Sequence, residues 1–200
     1  MAEREPLLTL TGISKAFFGV YAVKDVSFDV GPGEVLSIIG ENGAGKSTLM
    51  NMIGGVFRPD SGAMTLAGQS FQPESPSDAT KGGIAFIHQE LNLINDLPVY
   101  ENMFIGREIK RAGGLIDHRE ELRQTRALFA RFGIEIDPTA QVASLDASYK
   151  QIVEISRALM MNASIIIMDE PTTSLTDPEI ERVFDMLRTL KKQSVGVIFI

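Results

Sequence analysis

The chain has 200 residues, 44% hydrophobic and 22% charged, which fits a folded chain with one large core or a core plus an inserted subdomain and excludes a disordered one. Its formal charge of -7 comes from Asp and Glu spread along the sequence with no basic block, which argues against nucleic acid as the main partner. There is no cysteine, so disulfides and thiolate metal sites are excluded and a reducing compartment is expected.

The first residues, "MAEREPLLTL", are charged and lack the apolar stretch of a signal sequence. No uninterrupted apolar run approaches the roughly 18 residues of a membrane span. Alternation in "LLTLTGI" and "VKDVSFDV" predicts antiparallel strands, and the turn "GPGE" (Gly31 to Glu34) feeds "VLSIIG", which reads as a continuous buried strand. A glycine-rich loop follows. Leu49, Met50, Ile53 and Val56 then mark the start of a helix, and Pro59, Gly62 and Gly68 bracket a short strand, "AMTLAG".

"GIAFIHQ" is a further buried strand. From Glu90 to about Met161 the pattern is helical, and "DHREELRQTRALFARF" brings Leu122, Leu128, Phe129 and Phe132 near one face. "SIIIMDE" returns to strand. Asp177 as N-cap, Pro178 and Glu179 then open a helix that carries Ile180, Val183, Phe184, Leu187 and Leu190. The last stretch, "VGVIFI", reads as a buried strand, and a stop inside it predicts that the chain was cut from a longer polypeptide.

The loop "GENGAGKST", residues 40 to 48, fits Gly40-x-x-x-x-Gly45-Lys46-Ser47, the phosphate-binding P-loop pattern, between a buried strand and a helix. Its glycines let backbone N–H groups turn inward, and the helix N-terminus adds its positive end, so the main chain from Gly40 through Glu41, Asn42, Gly43 and Ala44 to Gly45 would hold a polyphosphate. Lys46 would bridge the β and γ phosphates. Ser47 would ligate Mg²⁺, and Thr48 reaches toward the α phosphate. Asp169, at the end of "IIIM", would hold Mg²⁺ through its water shell, and Glu170 would orient and polarise a water against the γ phosphate.

These residues, in this order, resemble the nucleotide-binding ATPases of ABC transporters. "HQELNL" (88 to 93), "ENMFIGRE" (101 to 108) and "MDEPTTSLTD" (168 to 177) are most similar to the first half of double-length ATPases that drive sugar import. The resemblance implies an α/β fold of the P-loop NTPase class: a RecA-like core with an antiparallel β subdomain and an inserted α-helical subdomain. It divides one ATPase domain into residues 1–88, residues 89–161 for the helical subdomain, and residues 162–200. The expected ligands are ATP and Mg²⁺. The expected partners are transmembrane permease subunits, a second ATPase half and a periplasmic-type solute-binding protein, with no nucleic acid, on the cytoplasmic face of the membrane.

The resemblance also assigns single residues. Phe17, rather than its neighbour Phe18, matches the aromatic that stacks on adenine. Gln89 matches the glutamine that senses Mg²⁺ and the attacking water. Ser174 to Asp177 match the loop between paired domains. His88 and His118 carry no assigned chemistry and read as partly exposed structural histidines. The family's signature, leucine-serine-glycine-glycine-glutamine, aligns with Leu145 to Tyr149, so Asp146 stands where a serine would meet the opposite domain's γ phosphate. A carboxylate there repels phosphate. The alternative is an N-cap, Asp146 or Ser148, for the helix that follows, and both readings are compatible. We therefore expect this signature to serve a degenerate site. A histidine that contacts the γ phosphate follows the last strand in the family, and the chain stops before it, so stronger nucleotide binding than hydrolysis is expected. The contrasting readings are a non-transport ABC ATPase acting on nucleic acid or ribosomes, which needs a basic surface, and a nucleotide-responsive module without turnover, which Glu170 disfavours.

Overall fold

The computed structural model describes residues 5–88, 90–169 and 175–200, which form two compact units. The first holds residues 5–86, 162–169 and 190–200, and the second residues 87–161 and 175–189.

In the first unit, β1 (Leu8–Phe17) and β2 (Val20–Val30) form an antiparallel hairpin. β4 (Ser61–Leu66) pairs with the other side of β1 and then with β5 (Gln69–Ser70), giving the order β2-β1-β4-β5. Leu8, Leu10 and Ile13 of β1 point inward, and β1 shifts register between Leu10 and Ile13. Each such buried side chain contributes about 1.5–3 kcal/mol of transfer free energy.

A second sheet has the order β3-β8-β7-β6, from β3 (Val35–Ser37), β8 (Gly196–Phe199), β7 (Ile165–Met168) and β6 (Ile84–Ile87). β8 runs parallel to both β3 and β7. All four β7 side chains are fully buried, as expected for a strand covered on both faces. The expectation for "VLSIIG" needs correction. Only Val35–Ser37 is strand, and Ile39 is 94% exposed. β3 lies at the end of its sheet and pairs with β8 alone, so the apolar run has a neighbour on one side only.

α1 (Lys46–Ile53) packs Leu49, Met50, Met52 and Ile53 into the core shared with β1 and β7. It ends where the Gly54 N–H bonds back to Met50, which leaves Val56 exposed and outside the helix, contrary to the sequence expectation. α2 (Pro76–Gly82) was not anticipated, although Ser75 caps it by accepting from the Asp78 N–H and Pro76 fills its first turn.

The second unit contains α3 (Val99–Phe104), α4 (His118–Phe132), a 3₁₀ turn at Val142–Ser144, α5 (Ala147–Met160) and residues 177–189 of α6 (Asp177–Lys192). Two amphipathic faces differ from expectation. In α4 the buried stripe is Glu121, Thr125, Phe129 and Phe132, with Leu122 and Leu128 only half-buried at its margin. Glu121 is tolerated there because its carboxylate accepts the Ile109 N–H at 3.1 Å and lies 3.4 Å from His118 Nδ1. In α6 Met186 is buried and Phe184 is 40% exposed. The cap of α6 also shifts by one residue. The Thr176 carbonyl accepts the first helical N–H groups and its own N–H donates to Glu179, so Asp177 is already helical. Among the described residues no helix is long and apolar enough to cross a membrane.

Candidate functional site

Three of the described helices close their N-termini with a side chain, and α1 and α3 do not. Ser75 caps α2, Asp117 caps α4 and Asp146 caps α5. α1 has no side-chain cap. Its cap position is Gly45 at φ 87°, so the first-turn N–H groups stay available to an external acceptor and the helix presents its positive end to it. The reason for glycine is steric as well as conformational. A Cβ at Gly45 would lie 2.0 Å from the Ala22 carbonyl oxygen on β2, so the loop can pass this strand only without a side chain.

A cleft of about 210 Å³ opens over this turn. Asn42, Gly43, Gly45, Lys46, Ser47 and Thr48 line it together with Asp169, one residue beyond β7, and with Ala22 and Ile200. Lys46 Nζ donates to the Gly40 carbonyl at 2.6 Å and to the Glu41 carbonyl at 3.0 Å, so the ammonium is curled against its own loop. Gly40 and Glu41 thus take part through their carbonyls, and the Glu41 carbonyl also accepts the Ala44 N–H. The uncapped helix start, one ammonium, two hydroxyls and a single carboxylate lining one cleft suit a polyphosphate with a divalent cation: the donors match phosphate oxygens, and Ser47 and Asp169 could supply oxygens for the metal.

Phe17 does not line this cleft. Its ring is 37% exposed, meets Phe57 edge-on at 5.5 Å between centroids, and has Lys15 Nζ 5.8 Å away. Phe18 is fully exposed at the hairpin tip with φ 51°. Gln89, Glu170 and Ser174 lie outside the described residues. His118 is half exposed against Glu121 and Tyr100, and His88 is exposed. Ala22 and Ile200 carry no chemistry-bearing side chain, and nothing in the sequence marked them as lining the cleft.

The signature segment lies in the second unit, where the choice of cap is resolved. Asp146 caps α5: Oδ1 accepts the Tyr149 N–H at 2.9 Å and the buried Ser148 hydroxyl at 2.8 Å. Arg182 of α6 donates to Oδ2 at 2.9 Å while its guanidinium lies 4.7 Å from the Tyr149 ring centroid. Burial pushes the Asp146 carboxyl up, but the Tyr149 N–H, the Ser148 hydroxyl and Arg182 together outweigh burial and hold it below its ordinary value. A depressed carboxyl pKa adds stability above the unfolded value, near 3.9, and loses it as pH falls through the folded one. Asp146→Ala should therefore lower unfolding stability by about 1 kcal/mol at neutral pH, with the deficit shrinking at an acid pH where the folded carboxyl is protonated. Denaturant titrations at the two pH values measure both.

The family model described as ABC transporter matches residues 23–173, a span that includes the glycine loop, Asp169 and Asp146. The chain belongs to the ABC transporter family. Among ABC relatives, a putative ribose/galactose/methyl galactoside import ATP-binding protein of Pseudomonas fluorescens is 47% identical over all of this chain and 39% of its own length. A ribose import ATP-binding protein of Streptomyces avermitilis is 46% identical over 98% of the chain and 39% of its own length. The chain thus spans about two fifths of the length of the curated relatives it matches. A crystal structure of the ADP conformation of an ATP-binding cassette of an ABC transporter superposes with a TM-score of 0.84 at 25% identity, covering 98% of this chain and 80% of that one. The P-loop NTPase class of an ABC cassette, expected from the sequence, is the fold observed.

Proposed function

We propose that this chain is an ATP-binding and ATP-hydrolysing part of an ABC importer for a sugar. It acts on the cytoplasmic face of the membrane with transmembrane permease subunits, a second ATPase domain and a periplasmic-type solute-binding protein. The observation that carries this reading is the uncapped N-terminus of α1, with Lys46, Ser47 and Asp169 lining one cleft. The names of the import ATP-binding relatives support the sugar.

In this reading the backbone N–H groups of Gly43 and of Gly45 to Thr48 bind the phosphate chain, and Lys46 leaves the Gly40 and Glu41 carbonyls to meet the β and γ phosphates. Ser47, with Asp169 and Gln89 acting through water, would hold Mg²⁺, which when bound neutralises charge on the β and γ oxygens. Glu170 accepts a proton from the attacking water as its oxygen bonds to the γ phosphorus and the bond to the β–γ bridging oxygen breaks, leaving ADP and phosphate. Phe17 stacks on adenine.

The test is titration of the protein with Mg-ATP, followed by Glu170→Gln. The variant should bind Mg-ATP with affinity within about twofold of wild type and turn it over at least about 100-fold more slowly, so that ATP rather than ADP is recovered from it. Absence of any Mg-ATP association would remove the reading.

The Leu145–Tyr149 segment serves a degenerate site. The support is local: Asp146 occupies the Tyr149 N–H and the Ser148 hydroxyl, the donors that would otherwise meet a phosphate, and Arg182 offsets its charge. Occupied donors, more than like-charge repulsion, are the obstacle.

A further inference from the structure

We infer that Glu154 is a positioning residue for the stretch of chain that follows Gln89, acting by pinning the Asn92 peptide to α5. The inference rests on the ATPase reading above. Residues 90–94 form neither helix nor strand, and loops of that kind are ordinarily mobile. Side chains hold this one.

The Asn92 N–H is close enough to the Glu154 carboxylate to favour its charged form. The Asn92 carbonyl accepts from Arg157 Nη1 at 2.9 Å, and Arg157 Nη2 closes on Glu154 Oε2 at 2.8 Å, so the ion pair holds the loop through this carbonyl. Two residues on, the fully buried Asn102 repeats the arrangement. Its Oδ1 accepts the Ile94 N–H at 2.8 Å and its Nδ2 donates to the Ile94 carbonyl at 3.0 Å. Asn95 completes the row, its Oδ1 accepting from Lys150 Nζ at 3.1 Å and its carbonyl from the Ala143 N–H at 2.9 Å. Lys150, Glu154 and Arg157 recur at i, i+4 and i+7, one face of α5. The same helix begins at the Asp146 cap, so one rod carries both the grip on the loop and the signature segment.

A purely structural role does not account for this carboxylate. Glu154 is 5% exposed, and its Oε1 is buried with no hydrogen-bond partner. Burial pushes its carboxyl up, against the opposing pull of Arg157, the Asn92 N–H and His88. A half-satisfied buried charge lowers stability, and an apolar pair of similar volume would serve packing at least as well. Placed beside the residues that follow Gln89, it gains a purpose by fixing where that chain runs.

The test uses the full-length protein assembled with its partners, carrying Glu154→Gln, Gln89→Ala or both. Glu154→Gln should lower kcat for Mg-ATP about tenfold with KM within about twofold. In the Gln89→Ala background it should add nothing, because it acts through the same segment. Hydrogen exchange on the nucleotide-free protein should show lost protection at residues 90–95, with β7 and β8 unchanged. Asn92→Pro, which removes the N–H beside the Glu154 carboxylate and restrains the loop from its own side, should reproduce the kcat loss and takes the place of Glu154→Gln if that protein does not fold. Unchanged kcat, losses that multiply in the double variant, or loss of protection throughout β7 and β8 would each overturn the inference. If Gln89→Ala slows turnover and Glu154→Gln does not, only this inference fails. If the wild type does not hydrolyse Mg-ATP, the ATPase reading falls and the inference with it.

Discussion

Gly45→Ala should weaken Mg-ATP binding by at least about 100-fold while the protein remains folded. The new methyl group would sit 2.0 Å from the Ala22 carbonyl oxygen, far inside contact distance, and the opposing atom is main chain of β2 rather than a side chain that can swing away. The φ of 87° adds strain of order 1–2 kcal/mol for any residue with a Cβ. The relief open to the chain is to move residues 43–47, and movement of about 1 Å takes the backbone donors off the phosphate oxygens. The core under α1, built on Leu49, Met50, Met52 and Ile53, begins four residues later and stays in place. Calorimetric titration reads the affinity and circular dichroism the fold. Wild-type affinity in the variant would mean that the loop does not bind phosphate in this form.

Lys46→Ala should reduce turnover about 100- to 1,000-fold, the range seen when one preorganised donor is removed from developing transition-state charge. Here the side chain is held at the site in advance by the Gly40 and Glu41 carbonyls. Truncation therefore removes the charge and also frees the start of the loop. Lys46→Arg separates the two effects. It keeps the charge, but its planar fork does not fit two carbonyls spaced for a compact ammonium, so rescue should be partial. Steady-state hydrolysis of the three proteins checks this, and a thermal midpoint within a few degrees of wild type for Lys46→Ala would assign the loss to chemistry.

What could be read from the sequence depended on how local its cause was. The glycine loop was legible because the phosphate-binding pattern is one of fixed residue types at fixed spacing. Asp169 was legible as the first polar residue after four apolar ones. α2 could have been read from Ser75, Pro76 and Asp78 but was passed over, because its seven residues carry little apolar signal. Burial was harder. "VLSIIG" has the composition of a central strand, and only the strand order shows that β3 has a single neighbour. Phe184 and Met186 exchanged places because both lie near the margin of the apolar stripe of α6, where the packing partner decides. The pairing of Arg182 with Asp146 spans 36 residues and two helices, and no local pattern encodes it. The same holds for Asn92, Glu154 and Arg157, an ordinary polar set until the fold brings them together.

The open side of β3 bears on how this polypeptide behaves in a tube. Val35 and Ile39 expose apolar side chains at this strand, and none of Val35, Ser37 and Ile39 is the lysine or proline that commonly discourages a foreign strand from adding on. Prepared as these 200 residues, the protein should tend to self-associate or precipitate as its concentration rises. Light scattering against concentration would reveal it, and a polar replacement at Ile39 should delay its onset.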